Sequence, residues 1–66
     1  MINSRRLREL IAQSDMSQED VARQADVALN TINRLVNDED SNPTLHTLRS
    51  IAKVLRVSIH EIIKDQ

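Results

Sequence analysis

The 66-residue sequence contains no cysteine, no glycine and no aromatic residue, and it has one proline. Without cysteine, neither a disulfide nor a thiolate metal site can stabilise the fold. Without aromatic side chains, the chain lacks the stacking platforms that bind single-stranded nucleic acids and RNA loops. No apolar run approaches the ~20 residues of a membrane-spanning helix, and the N-terminal residues do not resemble a secretion signal. We therefore expect a single soluble, cytoplasmic domain over residues 1–66 that makes no membrane contact.

The sequence also has no catalytic or metal-binding motif. Its two histidines, His46 and His60, lie on different predicted helices and lack the spacing of a zinc-binding helix. The carboxylates fall in loops and in first helical turns, where helix capping explains them. We therefore expect a protein that is not an enzyme and that uses no metal, cofactor or small-molecule ligand.

Apolar residues recur at helical spacing along the chain, and no segment alternates with the period of a β-strand. The pattern predicts a compact all-α fold of five helices, whose apolar stripes are Leu7, Leu10 and Ile11; Val21, Ala22 and Ala25; Ile32, Leu35 and Val36; Leu45, Leu48, Ile51, Ala52 and Leu55; and Ile59, Ile62 and Ile63. The first helix is expected to begin near Asn3 or Ser4. Ser17 and Thr44 are suitable N-caps for the second and fourth helices. Ser58 and Glu61 are expected to form a capping box at the start of the fifth.

The predicted third helix, residues 28–37, has a polar face of unusual composition. With about 100° between successive residues, this face lies opposite Ile32. Its members are Asn30, Asn33, Arg34 and Asn37. Amides and guanidinium groups can form paired hydrogen bonds with the edges of adenine and guanine. An ordinary solvated face more often carries Glu and Lys, which are better helix formers. The residues alone are consistent both with a DNA-reading surface and with a polar face that has no partner.

Residues 16–35 resemble the helix-turn-helix of phage-repressor and Cro-like proteins, the XRE family. The residues in register with the family are Gln18, Ala22, Ile32 and Leu35. Pro43–Leu45 and Leu55–Ser58 also look like the family's fourth helix and its ending, so the resemblance covers nearly the whole chain. It implies a lambda-repressor-like domain with its helix-turn-helix at about residues 17–37. It further implies a transcriptional regulator, most simply a repressor, whose third helix enters the major groove of double-stranded DNA.

The resemblance also assigns roles to individual positions. Base edges would be contacted from Ala28, Leu29, Asn30, Asn33 and Arg34. Phosphates would be contacted from Ser17, Gln18, Asn37 and Thr44, and the basic residues Arg5 and Arg6 are added to this group for their charge. Leu29 is expected either to meet a thymine methyl group or to pack against the core. The apolar residues Val57, Ile59, Ile62 and Ile63 are either core residues or a homodimer interface, through which two copies would read a palindrome.

Four residues depart from the family pattern within the scaffold. Asp26 occupies the turn where glycine is usual, and Asp tolerates the left-handed conformation better than most residues. Ala28 stands where Ser or Thr usually caps the third helix, a loss of about 1 kcal/mol that leaves the first turn soft until DNA binds. Ile11 and Val36 replace a usual Arg–Glu pair, and two apolar side chains there are expected to hold the helices at least as well.

The loop Asp38–Glu39–Asp40 places three carboxylates where relatives often carry basic residues, and the net charge of the chain is −1. Carboxylates near the DNA backbone repel phosphate, so we expect modest affinity and steep salt dependence. The same features favour an alternative function, a protein-interaction module such as an antitoxin-like or anti-repressor domain.

Overall fold

The computed structural model describes residues 2–64. Its helical elements are α1 (Ser4–Gln13), α2 (Gln18–Ala25), α3 (Leu29–Asn37) and α4 (Leu45–Leu55), followed by one 3-10 turn at Ile59–Glu61. The all-α prediction is confirmed over this range, and the predicted helix-turn-helix corresponds to α2 and α3. None of the helices within residues 2–64 is long and apolar enough to cross a membrane.

The prediction of a fifth α-helix is wrong, because residues 2–64 form four α-helices, and a single 3-10 turn stands where the fifth was expected. The expected capping box is also not formed. Ser58 Oγ accepts a hydrogen bond from the amide of His60 at 3.2 Å, whereas the Glu61 carboxylate binds the guanidinium of Arg6 at 3.0 Å. After the turn the chain extends and forms an isolated antiparallel bridge between Ile63 and Ile2. This long-range pairing ends the helix after one turn.

Side-chain caps set where three of the helices begin. Asn3 Oδ1 accepts a hydrogen bond from an amide in the first turn of α1 at 3.0 Å. Ser17 and Asp20 form a reciprocal capping box on α2, with N–O distances of 3.0 and 3.1 Å. Thr44 Oγ1 accepts a hydrogen bond from the amide of Thr47 at 3.1 Å. The predicted caps Ser17 and Thr44 are confirmed, and each contributes about 1 kcal/mol.

The turn between α2 and α3 is made without glycine. Asp26 adopts the left-handed conformation, with φ 59° and ψ 44°. The amide of Val27 then donates to the carbonyl of Ala22 at 3.0 Å, which closes the end of α2. Arg56 ends α4 in the same way, with φ 59° and ψ 42°. The expectation that Asp26 supports the turn is confirmed.

One apolar core lies where α2 packs against α3 and α4 and where α1 packs against α3. Its completely or almost completely buried members are Ile2, Leu7, Val21, Ile32, Leu35, Val36, Ile51 and Ile62. Ile11 is buried as well, so both residues that replace the family's ion pair contribute to the core. Ala22 is small and only 3% exposed, which permits the close approach of a neighbouring helix.

The C-terminal segment closes this core. Ile62 has no exposed surface, so it is a core residue and offers nothing to a partner. Val57, Ile59 and Ile63 are partly buried and pack against the core from outside. Of the four residues predicted for a dimer interface, these three retain accessible apolar surface.

Candidate nucleic-acid interface

Helix α3 turns its apolar stripe to the core and its amide-rich face to solvent. Ile32, Leu35 and Val36 are at most 2% exposed. The exposed polar residues of the helix are Asn30, Asn33, Arg34 and Asn37. The division of the helix into these two faces, predicted from helical phase, is therefore confirmed.

The polar face is short and continuous. From Asn30 to Asn37 it extends about 10 Å, at 1.5 Å per residue. This length corresponds to about three base pairs, at 3.4 Å per pair. The face can therefore read a short run of base edges and no more.

Arg34 lies at the middle of this face. Its guanidinium has no acidic partner within the described part of the chain. Together with Thr31 and Pro43, it lines a cleft of about 100 Å³ between α3 and the loop that leads to Thr44. The fold thus places the predicted base-reading arginine beside the loop that carries a predicted phosphate contact.

The two asparagines at the C-terminal end of the face differ in their hydrogen bonding. Asn37 Nδ2 donates to the main-chain carbonyl of Asn33 at 2.8 Å. One donor of the Asn37 amide is therefore held by its own helix, and a single N–H remains for a phosphate oxygen. The side chain of Asn33 makes no hydrogen bond among residues 2–64, so both its donors and its acceptor face solvent without a partner there.

The N-terminal end of α3 is open. Ala28 occupies the N-cap position and makes no side-chain cap, as its residue type predicted. Leu29 is 39% exposed, so it is not packed into the core, and its contact with a thymine methyl group stays a prediction. Both residues project no hydrogen-bonding group, which suits contact with the methyl group of thymine.

Ser17 and Gln18 lie at the N-terminal end of α2, the first helix of the helix-turn-helix. Ser17 Oγ accepts from the Asp20 amide, so its own hydroxyl proton remains available to donate. The pKa of Asp20 is lowered by the hydrogen bond from the Ser17 amide and further by Arg23, whose guanidinium lies 2.6 Å away. Arg23 thereby offsets the negative charge of Asp20 beside Ser17 and Gln18, the predicted phosphate contacts.

The remaining residues predicted to contact phosphate differ in how far their side chains are already engaged within the protein. The side chain of Arg5 is 81% exposed and makes only a loose contact with Glu9, at 3.8 Å. Arg6 instead binds Glu61 at 3.0 Å and Glu9 at 3.4 Å, and the hydrogen bond to Glu61 raises the pKa of Arg6. The Arg5 guanidinium is thus accessible for the predicted phosphate contact. Arg6 could make such a contact only after its ion pairs with Glu61 and Glu9 are broken. Thr44 is exposed, but its hydroxyl is engaged at 3.0 Å with that of Thr47.

The acidic loop carries less free charge than the sequence suggested. Glu39 forms an ion pair with Lys64 at 2.7 Å, and this hydrogen bond lowers the pKa of Glu39. Asp38 Oδ1 accepts a hydrogen bond from the amide of Asp40 at 2.9 Å, which holds the loop in a local turn. The charge of one of the three carboxylates is therefore partly offset by a cation.

Sequence reasoning missed the residues that hold the C-terminal end of α3. Ser4 Oγ donates to the carbonyl of Leu35 at 2.5 Å, and Arg8 Nη1 donates to the carbonyl of Val36. Ser41, which is buried, donates to the carbonyl of Arg34 at 3.2 Å. The signal in the sequence was the spacing of Ser4 and Arg8, which are four residues apart along one edge of the apolar stripe of α1.

The comparison with known families agrees with this geometry. The family described as Cro/C1-type HTH DNA-binding domain matches the chain over residues 6–66. No curated protein matches the sequence. The matched region includes α2, the glycine-free turn and the whole polar face of α3, which confirms the resemblance seen in the sequence. The chain belongs to the family of Cro/C1-type helix-turn-helix DNA-binding domains.

Proposed function

We propose that this protein is a sequence-specific transcriptional regulator, acting as a repressor, that inserts α3 into the major groove of double-stranded DNA. One observation carries the proposal. The exposed face of α3 presents Asn30, Asn33 and Arg34 to solvent, whereas Ile32, on the other side of the helix, is fully buried. This arrangement aims base-reading groups outward from a helix whose other side is fixed in the core.

The residue types set the roles in the proposal. Arg34 pairs with guanine through O6 and N7, and Asn30 and Asn33 pair with adenine through N6 and N7. Leu29 meets a thymine methyl group at the open end of the helix. Ser17, Gln18 and Thr44 contact phosphates on the flanks, and Arg5 adds charge. These polar contacts supply no catalytic step, and the proposed function includes none.

The proposal extends to a homodimer on a palindromic site. The partly exposed apolar residues Val57, Ile59 and Ile63 lie together in the C-terminal segment, where a second copy can bury them. Two recognition helices related by twofold symmetry would lie about 34 Å apart, one turn of DNA. A half-site of about three base pairs read by α3 is too short to be selective alone, so pairing supplies the missing specificity.

Selection from random duplex DNA with the purified protein tests this function. We expect enrichment of a palindrome whose half-sites repeat at about 10 base pairs. Arg34→Ala is expected to relax the preference for one guanine, and Asn30→Ala the preference for one adenine, each by about 1–3 kcal/mol of discrimination. Lys53→Ala, which removes an exposed cation from α4, is the charge-matched control and leaves the preference unchanged.

The outcome also separates the two functions considered from the sequence. If no duplex is enriched at low salt, the proposed function is wrong and the protein-interaction module is favoured. The ion pair between Glu39 and Lys64 already weakens one argument for that alternative, since it masks part of the acidic loop.

A further inference from the structure

We propose that Ser4 and Arg8 of α1 are positioning residues for DNA reading, which fix the orientation of α3 by holding the last carbonyls of that helix. This inference rests on the proposed function and adds to it two residues that touch no base. It concerns the end of α3 that lies farthest from its open N-terminus.

The contacts are made at two consecutive carbonyls. Ser4 Oγ donates to the Leu35 carbonyl at 2.5 Å, and Arg8 Nη1 donates to the Val36 carbonyl. The last four carbonyls of an α-helix accept no hydrogen bond from an amide of the same helix, so they are free to accept one from another residue. Ser4 is only 1% exposed, so its hydrogen bond is shielded from water. A cation at this end of a helix is also favoured by the helix dipole.

Two hydrogen bonds from α1 constrain the orientation of α3 more than one bond would. A single contact between helices fixes a distance, whereas two contacts one turn apart on α1 also fix how α3 is rotated against it. The Arg34 carbonyl is held in addition by the amide of Asp38 at 2.9 Å and by the hydroxyl of Ser41. Polar bonds thus hold the C-terminal end of α3 at three carbonyls in succession.

Among residues 2–64, no side-chain hydrogen bond holds the opposite end of α3. Its N-cap, Ala28, makes no side-chain hydrogen bond. The orientation of the reading face therefore depends on apolar packing and on the C-terminal contacts. Because hydrogen bonds to bases form only within about 2.7–3.2 Å, a small rotation of α3 is enough to lose them.

This mechanism gives a signature different from that of a phosphate contact. Loss of a positioning residue weakens binding to the correct sequence and leaves binding to other duplexes nearly unchanged. Loss of a phosphate contact weakens both alike and reduces the salt slope by about 0.9. The ratio of the two affinities therefore distinguishes the roles.

The test uses Arg8→Met, which keeps the aliphatic stem and removes the donors, and Arg8→Lys, which keeps the charge and a donor. Arg5→Met is the matched control, since Arg5 is on the same helix, is exposed and contacts only Glu9. Affinity is measured against the duplex enriched by the unmodified protein and against a scrambled duplex of the same composition, over a range of salt concentrations. Circular dichroism and urea unfolding establish that each variant is folded at the assay temperature.

We expect Arg8→Met to lose about tenfold or more in affinity for the enriched duplex, the lower end of what one base contact contributes. Its affinity for the scrambled duplex should change no more than that of Arg5→Met, and Arg8→Lys should recover part of the loss. Ser4→Ala should reproduce the effect of Arg8→Met. If Ser4→Ala unfolds, the exposed Arg8 still decides the question.

Two results would overturn the proposal. An equal loss on both duplexes with a reduced salt slope would make Arg8 a phosphate contact. No change on either duplex would make it an ordinary surface residue. If the unmodified protein itself does not distinguish the two duplexes, the proposed function fails, and this failure is visible before any variant is measured.

Discussion

Lys64 and Glu39 form an ion pair across 25 positions of the chain, with 2.7 Å between Nζ and Oε1. The pair joins the C-terminal segment to the acidic loop that follows α3. In the proposed complex this loop lies near the DNA backbone, so the pair reduces the charge that repels phosphate.

The first prediction concerns that charge. Lys64→Ala removes a cation and also exposes the Glu39 carboxylate, so it should weaken DNA binding more than Lys53→Ala, which removes a cation from α4 alone. Glu39→Gln should strengthen binding, by about two- to threefold at low salt and less at high salt. Fluorescence anisotropy with a labelled duplex at two salt concentrations measures both effects. Equal losses for Lys64→Ala and Lys53→Ala would show that the loop does not approach DNA.

The second prediction concerns pH and the capping box of α2. The pKa of Asp20 is lowered by the Ser17 amide and by Arg23. A carboxyl group whose pKa is lower in the folded state stabilises the fold above its unfolded pKa of about 4, and this contribution is lost as pH falls through the lower folded value. The free energy of unfolding should therefore decline below about pH 4.

Urea titrations between pH 7 and pH 3 measure this decline. Asp20→Asn should make the decline smaller, because the amide does not titrate, and the part due to Glu39, whose pKa is also lowered, should remain. Asp15→Asn is the matched control, since Asp15 is exposed and makes no side-chain hydrogen bond among the described residues. An unchanged pH profile in Asp20→Asn would mean that the capping box contributes nothing that depends on charge.

The third prediction concerns the open end of α3. Ala28→Ser supplies the missing N-cap and should raise the free energy of unfolding by about 1 kcal/mol. Ala12→Ser is the control, because it makes the same change at an exposed position inside α1, where serine is a poorer helix former than alanine and lowers stability by about 0.5 kcal/mol. If both substitutions destabilise the protein alike, position 28 does not act as a cap.

Most of the fold could be predicted from the sequence because its signals are local. The apolar stripe of α3, with Ile32 and Leu35, repeats at helical spacing, and the polar face is what remains of the same helix. The caps Ser17 and Thr44 act within four residues of their own positions. Such patterns depend only on helical periodicity and on neighbouring residues, so the sequence is enough to predict them.

The remaining features depend on residues that are distant in sequence. Ser4 meets the carbonyl of Leu35, and Arg6 meets Glu61, across 31 and 55 positions respectively. The local sequence pattern predicted a capping box between Ser58 and Glu61. In the folded chain the Glu61 carboxylate binds the guanidinium of Arg6 instead. The same limit explains why the predicted fifth α-helix is wrong: the bridge between Ile2 and Ile63 is a long-range contact that helical spacing does not reveal.

The last prediction separates core from interface in the C-terminal segment. Ile62 is fully buried, so Ile62→Ala should lower the free energy of unfolding by about 2–5 kcal/mol, enough to unfold much of a domain this small. Ile59 is only partly buried, so Ile59→Asp should leave most of the fold in place and remove the apolar surface that the proposed dimer needs.

Sedimentation with and without the selected duplex distinguishes these effects. The unmodified protein should bind DNA as two copies, whereas Ile59→Asp should bind as one, with weaker affinity for the palindrome and unchanged affinity for an isolated half-site. His60→Asp is the matched control, because it introduces the same charge at an exposed neighbouring position without removing apolar surface. If Ile59→Asp still binds as a pair, the second copy docks through another surface, and the partly exposed isoleucines serve only to close the core.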